Sequence, residues 1–421
     1  CPQKKRSRKK RTPVLAGQVS GRSGGVLPLP GTEGLIPKSE PAMYNNPGKR
    51  THIFFREVEN VKRFSVLLAL AVGFIFCSAA FAAFPPVPVE KINPGFIYIG
   101  PIGDGGYTFM HDKGRLFMEE AFPGLKSAYV ESVPEGPDAS RVMETLVRNG
   151  SKVVFANSFG HMDFVLEVAK KYPETIFMHC SGYKVAENVG TYFGRMYQAR
   201  YLSGLVAGSM TKKNVIGYVG AYPIPEVIRG INAFTLGVRK ANPKAEVRVI
   251  WIFSWLDPGK EKEAAKALID AGADVLGMHA DTGAAPQAAE EAGIYVVGYN
   301  NDMSNYAPTK HLTAPIWNWG IVYRDTIRQI IDGTWKSEQV WLGLKEGMVD
   351  LAPYGKDVPD SAKKLVEDEK AKILAGGWDV FYGPVKDQAG AVKVPEGTSM
   401  TDAEMLSMNW FVEGVKGDIP K

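Results

Sequence analysis

The sequence predicts an α/β protein with two doubly wound parallel-sheet lobes joined by a hinge. From Phe96 to Tyr299, apolar runs of strand length alternate with amphipathic helical patterns. This alternation is typical of parallel strands linked by right-handed crossovers. The runs are too many for one compact sheet, so we expect two lobes with a ligand cleft between them.

The predicted strands are short and nearly continuous in apolar residues, as expected for strands buried on both faces. They lie at 96–99, 127–133, 153–157, 176–180, 189–193, 215–219, 247–253, 275–279 and 295–299. The segments between them repeat apolar residues every three or four positions, which predicts helices. The helical patterns lie at 108–121, 140–148, 162–171, 197–210, 225–241, 260–271, 284–292 and 320–334.

The polar break at residues 211–214 predicts the boundary between the lobes. The first lobe is expected to hold residues 92–210 plus about 311–340. The second is expected to hold 211–310 plus part of 341–384. Residues 385–421 are expected to form a C-terminal extension that packs on a lobe.

Residues 1–60 are predicted to be a disordered basic tail. They hold 12 Lys or Arg against four Asp or Glu, so the net charge of +5 leaves −3 for residues 61–421. The run from Lys4 to Arg11 lies in Gly-, Pro- and Ser-rich sequence, which is typical of disorder. Alternatively, translation starts near Val61 or at Met43. The mildly acidic remainder gives no support for nucleic-acid binding.

A secretory signal peptide is predicted over residues 61–82. A Lys-Arg pair precedes the apolar run 66–76, and an A-x-A cleavage site ends at Ala82. We expect cleavage there and a periplasmic product. A transmembrane anchor is the alternative, although the apolar run is short for crossing a bilayer. Cys180 is then a lone mature cysteine, so no internal disulfide is expected.

Composition and motifs argue against an enzyme or a metal centre. The 421-residue chain is 45% hydrophobic and 23% charged, which suits two ordinary domains. Residues 61–421 contain no H-E-x-x-H, no G-x-S-x-G and no Cys pair, and the histidines lack metal-ligand spacing. His179 and His279 lie in apolar strands and are interpreted as core residues. We expect no catalysis, no metal and no cofactor.

The turn after the first predicted strand is the expected ligand site. The apolar run 96–99 leads into Gly and Pro residues around a single acid, Asp104, before a helical pattern opens at Tyr107. In open α/β sheets, ligands bind outside the carboxyl ends of the strands. We therefore expect the turn from Asp104 to Thr108 to hold a small molecule. The alternative is that its glycines serve only the backbone of the turn.

Aromatic and polar residues at other strand ends extend the predicted site. Two rings from opposite lobes can sandwich a flat heterocycle, and carboxylates or amides can pair with its edge. The aromatic candidates are Tyr107, Trp255 and Trp317, and the polar ones are Asp104, Asn157, Asp163, Asp281 and Asn300. Simple packing is the alternative for the rings, and helix capping is the alternative for Asp281.

Three motifs are similar to those of a known family. Residues 100–108 match the pattern G-x-x-x-D-x-S-F-N in part, residues 254–265 are similar to S-F-x-D-x-x-K-G-K-E-A-A, and residues 381–384 read F-x-G-P. On these motifs, residues 93–384 resemble the basic membrane protein (BMP) family of ABC-transporter substrate-binding proteins, of the purine-nucleoside receptor type. The resemblance implies the type I periplasmic-binding-protein fold.

The resemblance also implies roles for individual residues. Tyr107 and Trp255 stand where the family has two stacking phenylalanines, and Asp163 matches an acid that contacts the purine edge. Asn300 and Trp317 replace the Asp and Lys that hold the ribose in nucleoside receptors. The loss of this charged clamp favours a free purine base, adenine first.

The expected function is therefore capture of a purine base for an ABC importer. The expected partners are the permease and ATPase subunits at the inner membrane, with no nucleic acid, and the protein is expected to be a monomer. The alternatives are a receptor for a nucleoside or another small solute, a periplasmic purine-acting enzyme, and an intracellular regulator.

Overall fold

Residues 84–420 are described by a computed structural model of the protein. The tail predicted over residues 1–60 and the signal peptide predicted over 61–82 lie outside the described residues. Within 84–420, no helix has both the length and the apolar character that crossing a bilayer requires.

Two six-stranded sheets, each parallel throughout, form the cores of the two lobes. The strands are β1 (Gly95–Ile97), β2 (Ala128–Val130), β3 (Val153–Ala156), β4 (Ile176–Cys180), β5 (Val189–Gly194), β6 (Val215–Gly220), β7 (Glu246–Trp251), β8 (Val275–His279), β9 (Tyr295–Val297), β10 (His311–Thr313), β11 (Pro315–Trp317), β12 (Gln339–Leu342), β13 (Val349–Leu351), β14 (Val385–Lys386), β15 (Val392–Val394) and β16 (Val415–Lys416). The first sheet has the order β12-β5-β4-β3-β1-β2, and the second has the order β10-β9-β8-β6-β7-β16. This arrangement confirms the predicted α/β class with two doubly wound lobes.

Helices follow most of the strands and cover the sheets. They are α1 (Tyr107–Ala121), α2 (Pro137–Arg148), α3 (Met162–Lys171), α4 (Met196–Met210), α5 (Pro225–Ala241), α6 (Pro258–Asp270), α7 (Ala284–Ala292), α8 (Gly320–Asp332), α9 (Asp360–Ala375) and α10 (Asp402–Leu406), with short 3-10 turns at Val89–Lys91 and Phe159–His161. Helix α6 shows how local sequence sets a boundary. The Asp257 side chain accepts a hydrogen bond from the backbone N–H of Lys260, and Pro258 occupies the first helical position.

Burial explains the apolar character of the central strands. Every residue of β3, β4, β5 and β8 is buried, because helices cover both faces of these parallel sheets. Strand β2 lies at the edge of the first sheet, and all three of its residues are exposed.

The boundary between the lobes differs from the one expected near residue 210. Helix α4 was assigned to the first lobe, but it packs along α5 of the second. A Cβ at Gly204 would overlap the carbonyl oxygen of Phe234, and one at Gly208 would overlap that of Val238. Glycine lets the two helix backbones approach this closely, so α4 belongs with the second sheet.

A second correction concerns His311, which was placed in the first lobe. Strand β10 pairs in parallel with β9, with His311 opposite Val296, and so forms the edge of the second sheet. The chain enters the first lobe only afterwards, where α8 packs on α1 and β12 pairs with β5.

Three crossings of the chain connect the lobes. The first is the short link between β5 and α4, the second is β11, and the third is the segment from β12 to β13. Strands β11 and β13 form an antiparallel ribbon in which Pro315 lies opposite Leu351 and Trp317 lies opposite Val349. Several adjacent crossings of this kind make a hinge about which two rigid lobes can move.

The C-terminal segment contributes to the second lobe. Strand β16 pairs with β7, with Val415 opposite Val247. The ring of Phe411 stacks on Trp251 with centroids 6.2 Å apart. Residues near the end of the chain therefore complete one edge of the second sheet.

Candidate functional site

A cleft between the two lobes lies at the carboxyl ends of strands from both sheets. It is lined by Ile99, Tyr107, Asn157, Ser158, Phe159, Ser181, Glu226, Trp255, His279, Asp281 and Tyr299. Its enclosed centre measures about 30 Å³, and the whole gap, mouth included, measures about 360 Å³. The enclosed centre has room for only about two waters, so a larger ligand requires the lobes to move apart.

Tyr107 forms part of the first-lobe wall. It is the first residue of α1, and its hydroxyl donates to the carbonyl oxygen of Asn157 at 2.6 Å. Its ring meets the imidazole of His111 edge to face, with centroids 4.4 Å apart. These contacts hold the Tyr107 ring in one orientation at the end of the sheet.

Asn157 carries an unused hydrogen-bond donor on the same wall. Its Oδ1 accepts from the backbone N–H of Ile99 at 2.9 Å, while its Nδ2 is buried without a partner among the described residues. A buried donor left unpaired costs about 1–3 kcal/mol. An acceptor atom on a bound ligand would remove that cost.

Trp255 forms the facing wall from the second lobe. Its ring lies 4.9 Å from the ring of Tyr222, and its Nε1 is buried without a partner within residues 84–420. The backbone N–H of Asp281 donates to the Trp255 carbonyl oxygen at 3.1 Å, which ties the loop after β7 to the loop after β8. The cleft therefore presents an aromatic ring from each lobe.

Glu226 supplies a carboxylate to the cleft from the first turn of α5. Its Oε1 lies 3.4 Å from Nε2 of His279. Burial acts to raise the pKa of Glu226, but the His279 hydrogen bond and the charges of Arg229 and Arg200 outweigh it and lower the pKa below its usual range. Burial lowers the pKa of His279, partly offset by Glu226. Glu226 is thus an ionised acceptor at neutral pH.

The pKa of Asp281 is shifted in the opposite direction from that of Glu226. Burial, and then the nearby charges of Asp104 and Glu261, raise its pKa well above the usual range. When it is protonated, the Asp281 carboxyl can donate a hydrogen bond, whereas the Glu226 carboxylate can only accept. The cleft therefore offers both kinds of hydrogen-bond partner to a polar heterocycle.

Asn300 and Trp317 do not line the cleft, contrary to expectation. Trp317 is fully buried, and its Nε1 donates to Oδ1 of Asn300 at 2.9 Å. Asn300 in turn directs its Nδ2 towards Oδ1 of Asp281 at 3.4 Å. Both residues lie behind Asp281, because hinge strand β11 carries Trp317 into the core beside Trp319, with ring centroids 4.4 Å apart.

Asp104 and Thr108 also lie off the lining of the cleft. The Asp104 carboxylate accepts from the backbone N–H groups of Gly106 at 2.8 Å, Thr108 at 2.9 Å and Phe109 at 3.0 Å. The first turn of a helix leaves such groups unpaired, so Asp104 acts as a cap for α1. Its role is to hold the turn that presents Tyr107.

Asp163 is outside the cleft as well. Its side chain is 72% exposed and pairs with Nζ of Lys184 at 2.6 Å. It occupies the first turn of α3, where a negative charge is favourable. The resemblance assigns it to the purine edge, but in this structure it does not line the cleft.

The lobes touch where the turn before α1 meets the second lobe. A Cβ at Gly106 would overlap the carbonyl oxygen of Asp281, and one at Gly105 would overlap the hydroxyl of Tyr306. Gly105 also has a positive φ of 74°. The glycines of this turn therefore allow a close approach between the lobes, in addition to forming the turn.

Seven lining residues have no counterpart in the sequence-based site: Ile99, Ser158, Phe159, Ser181, Glu226, His279 and Tyr299. A positional signal existed for Glu226 and His279. Glu226 is the second residue of the helix that follows β6, and His279 is the last residue of β8, so both lie on the carboxyl-end side of a strand. His279 was interpreted as a core residue, but it borders the cleft. Within residues 84–420, no group of His, Cys, Asp or Glu has the geometry of a metal site.

The fold and the cleft define a two-lobed protein that closes on a small solute. The chain belongs to the Bmp family, described as ABC transporter substrate-binding protein PnrA-like, whose model matches residues 91–378. This confirms the resemblance drawn from the motifs.

Comparison with known proteins gives two extensive sequence matches and a fold match. The chain is 43% identical over 357 residues to a purine-binding protein of Brucella abortus, covering 85% of this chain and all of the relative. It is 38% identical over 335 residues to a protein of Haloferax volcanii named as an ABC transporter glucose-binding protein, covering 80% of this chain and 83% of the relative. A solute-binding protein structure from Conexibacter woesei aligns with a TM-score of 0.59 at 23% identity, covering 68% of this chain and 98% of that one.

Proposed function

We propose that this substrate-binding protein captures a purine base, adenine first, between its two lobes and delivers it to an ABC importer. The observation that carries the proposal is the pair of rings, Tyr107 and Trp255, that reach one cleft from opposite lobes. Offset stacking adds about 0.5–1.5 kcal/mol beyond burial for each ring contact. A flat heteroaromatic solute suits such a cleft better than a sugar does.

The polar groups of the cleft match the edge of a purine. Asn157 and Trp255 each carry an unpaired donor, which suits the ring nitrogens of adenine. The Glu226 carboxylate suits a ring N–H or the exocyclic amine. Each matched pair gives selectivity, because a ligand without the partner group leaves a buried polar atom unsatisfied.

The preference for a base over a nucleoside rests on the missing sugar clamp. The Oδ1 of Asn300 accepts a hydrogen bond from Trp317 behind the cleft, and neither residue lines the cleft. The absence of the Asp–Lys pair that holds the ribose in nucleoside receptors supports a free base. Because Trp317 does not line the cleft, it does not exclude a ribose sterically. Glu226 favours a second candidate, a purine nucleoside, since a carboxylate accepts hydrogen bonds from ribose hydroxyls.

Isothermal titration calorimetry with adenine, hypoxanthine, adenosine, guanosine and glucose tests the proposal. We expect adenine to bind most tightly and glucose not to bind. Tighter binding of adenosine than adenine would overturn the base assignment. Mass spectrometry of denatured protein should identify an unmodified purine as the co-purifying solute, and a chemically altered product would instead indicate an enzyme.

The cellular setting is proposed on the same basis. Capture for an importer places the protein in the periplasm as a monomer that meets a permease and its ATPase. N-terminal sequencing of the exported protein should begin after Ala82, and finding residues 1–60 on it would contradict the proposed signal peptide.

A further inference from the structure

A second cavity, here called the side chamber, adjoins the cleft. It measures about 510 Å³ and shares Phe159, Ser181 and Glu226 with the cleft as lining residues. This volume falls within the range of roughly 300–1,000 Å³ typical of small-molecule pockets. A ligand held in the cleft therefore has room to extend past Glu226.

The walls of the side chamber are mainly apolar. They combine β5 and β12 of the first lobe with the start of α5 and helix α10 of the second. The apolar lining residues are Tyr192, Phe193, Ile224, Val340, Trp341 and Leu406. A surface of this kind gains free energy by burying an apolar group.

The guanidinium groups at this end of the side chamber have partners: Arg195 is paired with a carboxylate, and Arg229 is hydrogen-bonded to a neutral carbonyl oxygen. Arg229 donates from Nη1 to the carbonyl oxygen of Met405 at 2.7 Å, and Arg195 forms two hydrogen bonds to Asp402 at 2.9 and 2.7 Å. Both guanidinium groups lie over the ring of Trp341, at 4.3 Å for Arg195 and 5.0 Å for Arg229. The carboxylate of Glu226 at the junction disfavours an anion. A phosphate-bearing ligand is therefore a poor match.

One wall comes from a part of the chain beyond the family match. Helix α10 covers residues 402–406, whereas the family model matches residues 91–378. The Nε1 of Trp341, across the chamber, is buried without a partner within residues 84–420.

We propose that the side chamber is a subsite for an uncharged, mainly apolar substituent on a purine, so that the protein accepts adenines substituted on the exocyclic amine. The proposal rests on the proposed purine function. The base occupies the cleft between Tyr107 and Trp255, and its substituent passes Glu226 to contact Trp341 and Leu406.

Calorimetry on the mature chain with adenine, N6-benzyladenine and adenosine 5′-monophosphate tests the subsite. We expect N6-benzyladenine to bind at least as tightly as adenine, and the monophosphate to bind at least about tenfold more weakly because of Glu226. If adenine binds but N6-benzyladenine binds more weakly than adenine, the subsite is wrong while the purine function stands. If no purine binds, the proposed function fails and the subsite fails with it.

A variant that fills the chamber separates the subsite from the cleft. Ala403 is an exposed residue of α10 that lines the chamber, so Ala403→Trp adds bulk there without entering the core. We expect the Kd of N6-benzyladenine to rise by about tenfold or more and the Kd of adenine to stay within about twofold of the parent value. Lys364→Trp, at a 76% exposed side chain on α9, is the matched control and should change the Kd of neither ligand. Equal effects of Ala403→Trp on both ligands, or no effect on either, would overturn the subsite.

Discussion

At the scale of single residues, the chemistry of the cleft depends on which polar atoms remain unpaired. Asp104 and Asn300 are polar and buried, yet their hydrogen bonds are used within the protein. Asn157 and Trp255 keep a free donor at the cleft. Ligand recognition therefore follows from the groups that folding leaves unsatisfied.

Replacing Trp255 by alanine tests the ring sandwich. Trp255→Ala removes one stacking face and one donor, so adenine binding should weaken by about 1–3 kcal/mol, or about 5- to 150-fold in Kd. Calorimetry measures this directly. Phe253→Ala is the control, because Phe253 lies in the same loop, is 50% exposed and does not line the cleft. An unchanged Kd for Trp255→Ala would remove this ring from the site.

Glu261 should make stability depend on pH. Its carboxyl is fully buried, Oε2 accepts from the Thr282 hydroxyl at 2.7 Å, and burial raises its pKa to about 7. The unfolded chain loses this proton near pH 4.5. The contribution of Glu261 to stability is therefore greatest below pH 4.5 and falls as the pH rises to about 7, by about 3 kcal/mol in total.

The variant Glu261→Gln isolates this effect. It should reduce the decline in the free energy of unfolding between pH 4.5 and 7, measured by urea denaturation at several pH values. Glu263→Gln on the exposed face of the same helix is the control and should keep the decline of the parent protein. A decline of the same size in both variants would show that Glu261 does not cause it.

At the scale of elements, the turn before α1 has two structural tasks. Asp104 caps the helix so that Tyr107 is held at the cleft, and Gly105 and Gly106 let the turn touch Asp281 and Tyr306 of the other lobe. The same short segment therefore positions a residue of the cleft wall and permits a close approach of the lobes.

Gly106→Ala should impede lobe closure. The new Cβ at residue 106 would meet the carbonyl oxygen of Asp281. We expect Kd for adenine to rise by about tenfold or more, and the ligand-induced decrease in radius of gyration, measured by small-angle X-ray scattering, to shrink. Gly103→Ala has no neighbour within 4 Å of the added Cβ and should behave like the parent protein. Unchanged affinity in Gly106→Ala would contradict a role of this contact in binding.

At the scale of the whole molecule, distant parts of the chain complete the second lobe. Helix α4 packs on α5, and the C-terminal segment adds strand β16 to the second sheet. Asn232 of α5 links to this segment through its side chain, which donates to the Trp410 carbonyl oxygen at 2.8 Å and accepts from the Val412 N–H at 2.9 Å. The end of the chain is therefore part of the folded lobe.

Removing the Asn232 side chain should weaken this attachment. Asn232→Ala leaves two buried backbone groups without partners, so the free energy of unfolding should fall by about 2–4 kcal/mol in urea denaturation. Asn149→Ala, at an exposed helix end, is the matched control and should change it little. Equal stability of the two variants would mean that the C-terminal segment contributes little to the lobe.

The sequence by itself determined the architecture and the edge where the site lies. Its alternating apolar runs specify parallel strands and covering helices, because burial on both faces demands continuous apolar residues. Its strand ends predicted Tyr107, Asn157, Trp255 and Asp281 as ligand contacts, and all four line the cleft.

Only the tertiary structure decided which strand-end residues face the cleft. Asp104 turned to cap a helix, Asp163 paired with a surface lysine, and Trp317 entered the core, while Glu226 and His279 reached the cleft. Side-chain direction at a strand end depends on the nearest unpaired backbone group and the packing of neighbouring elements. Those partners come from distant parts of the chain, so local sequence patterns do not contain them.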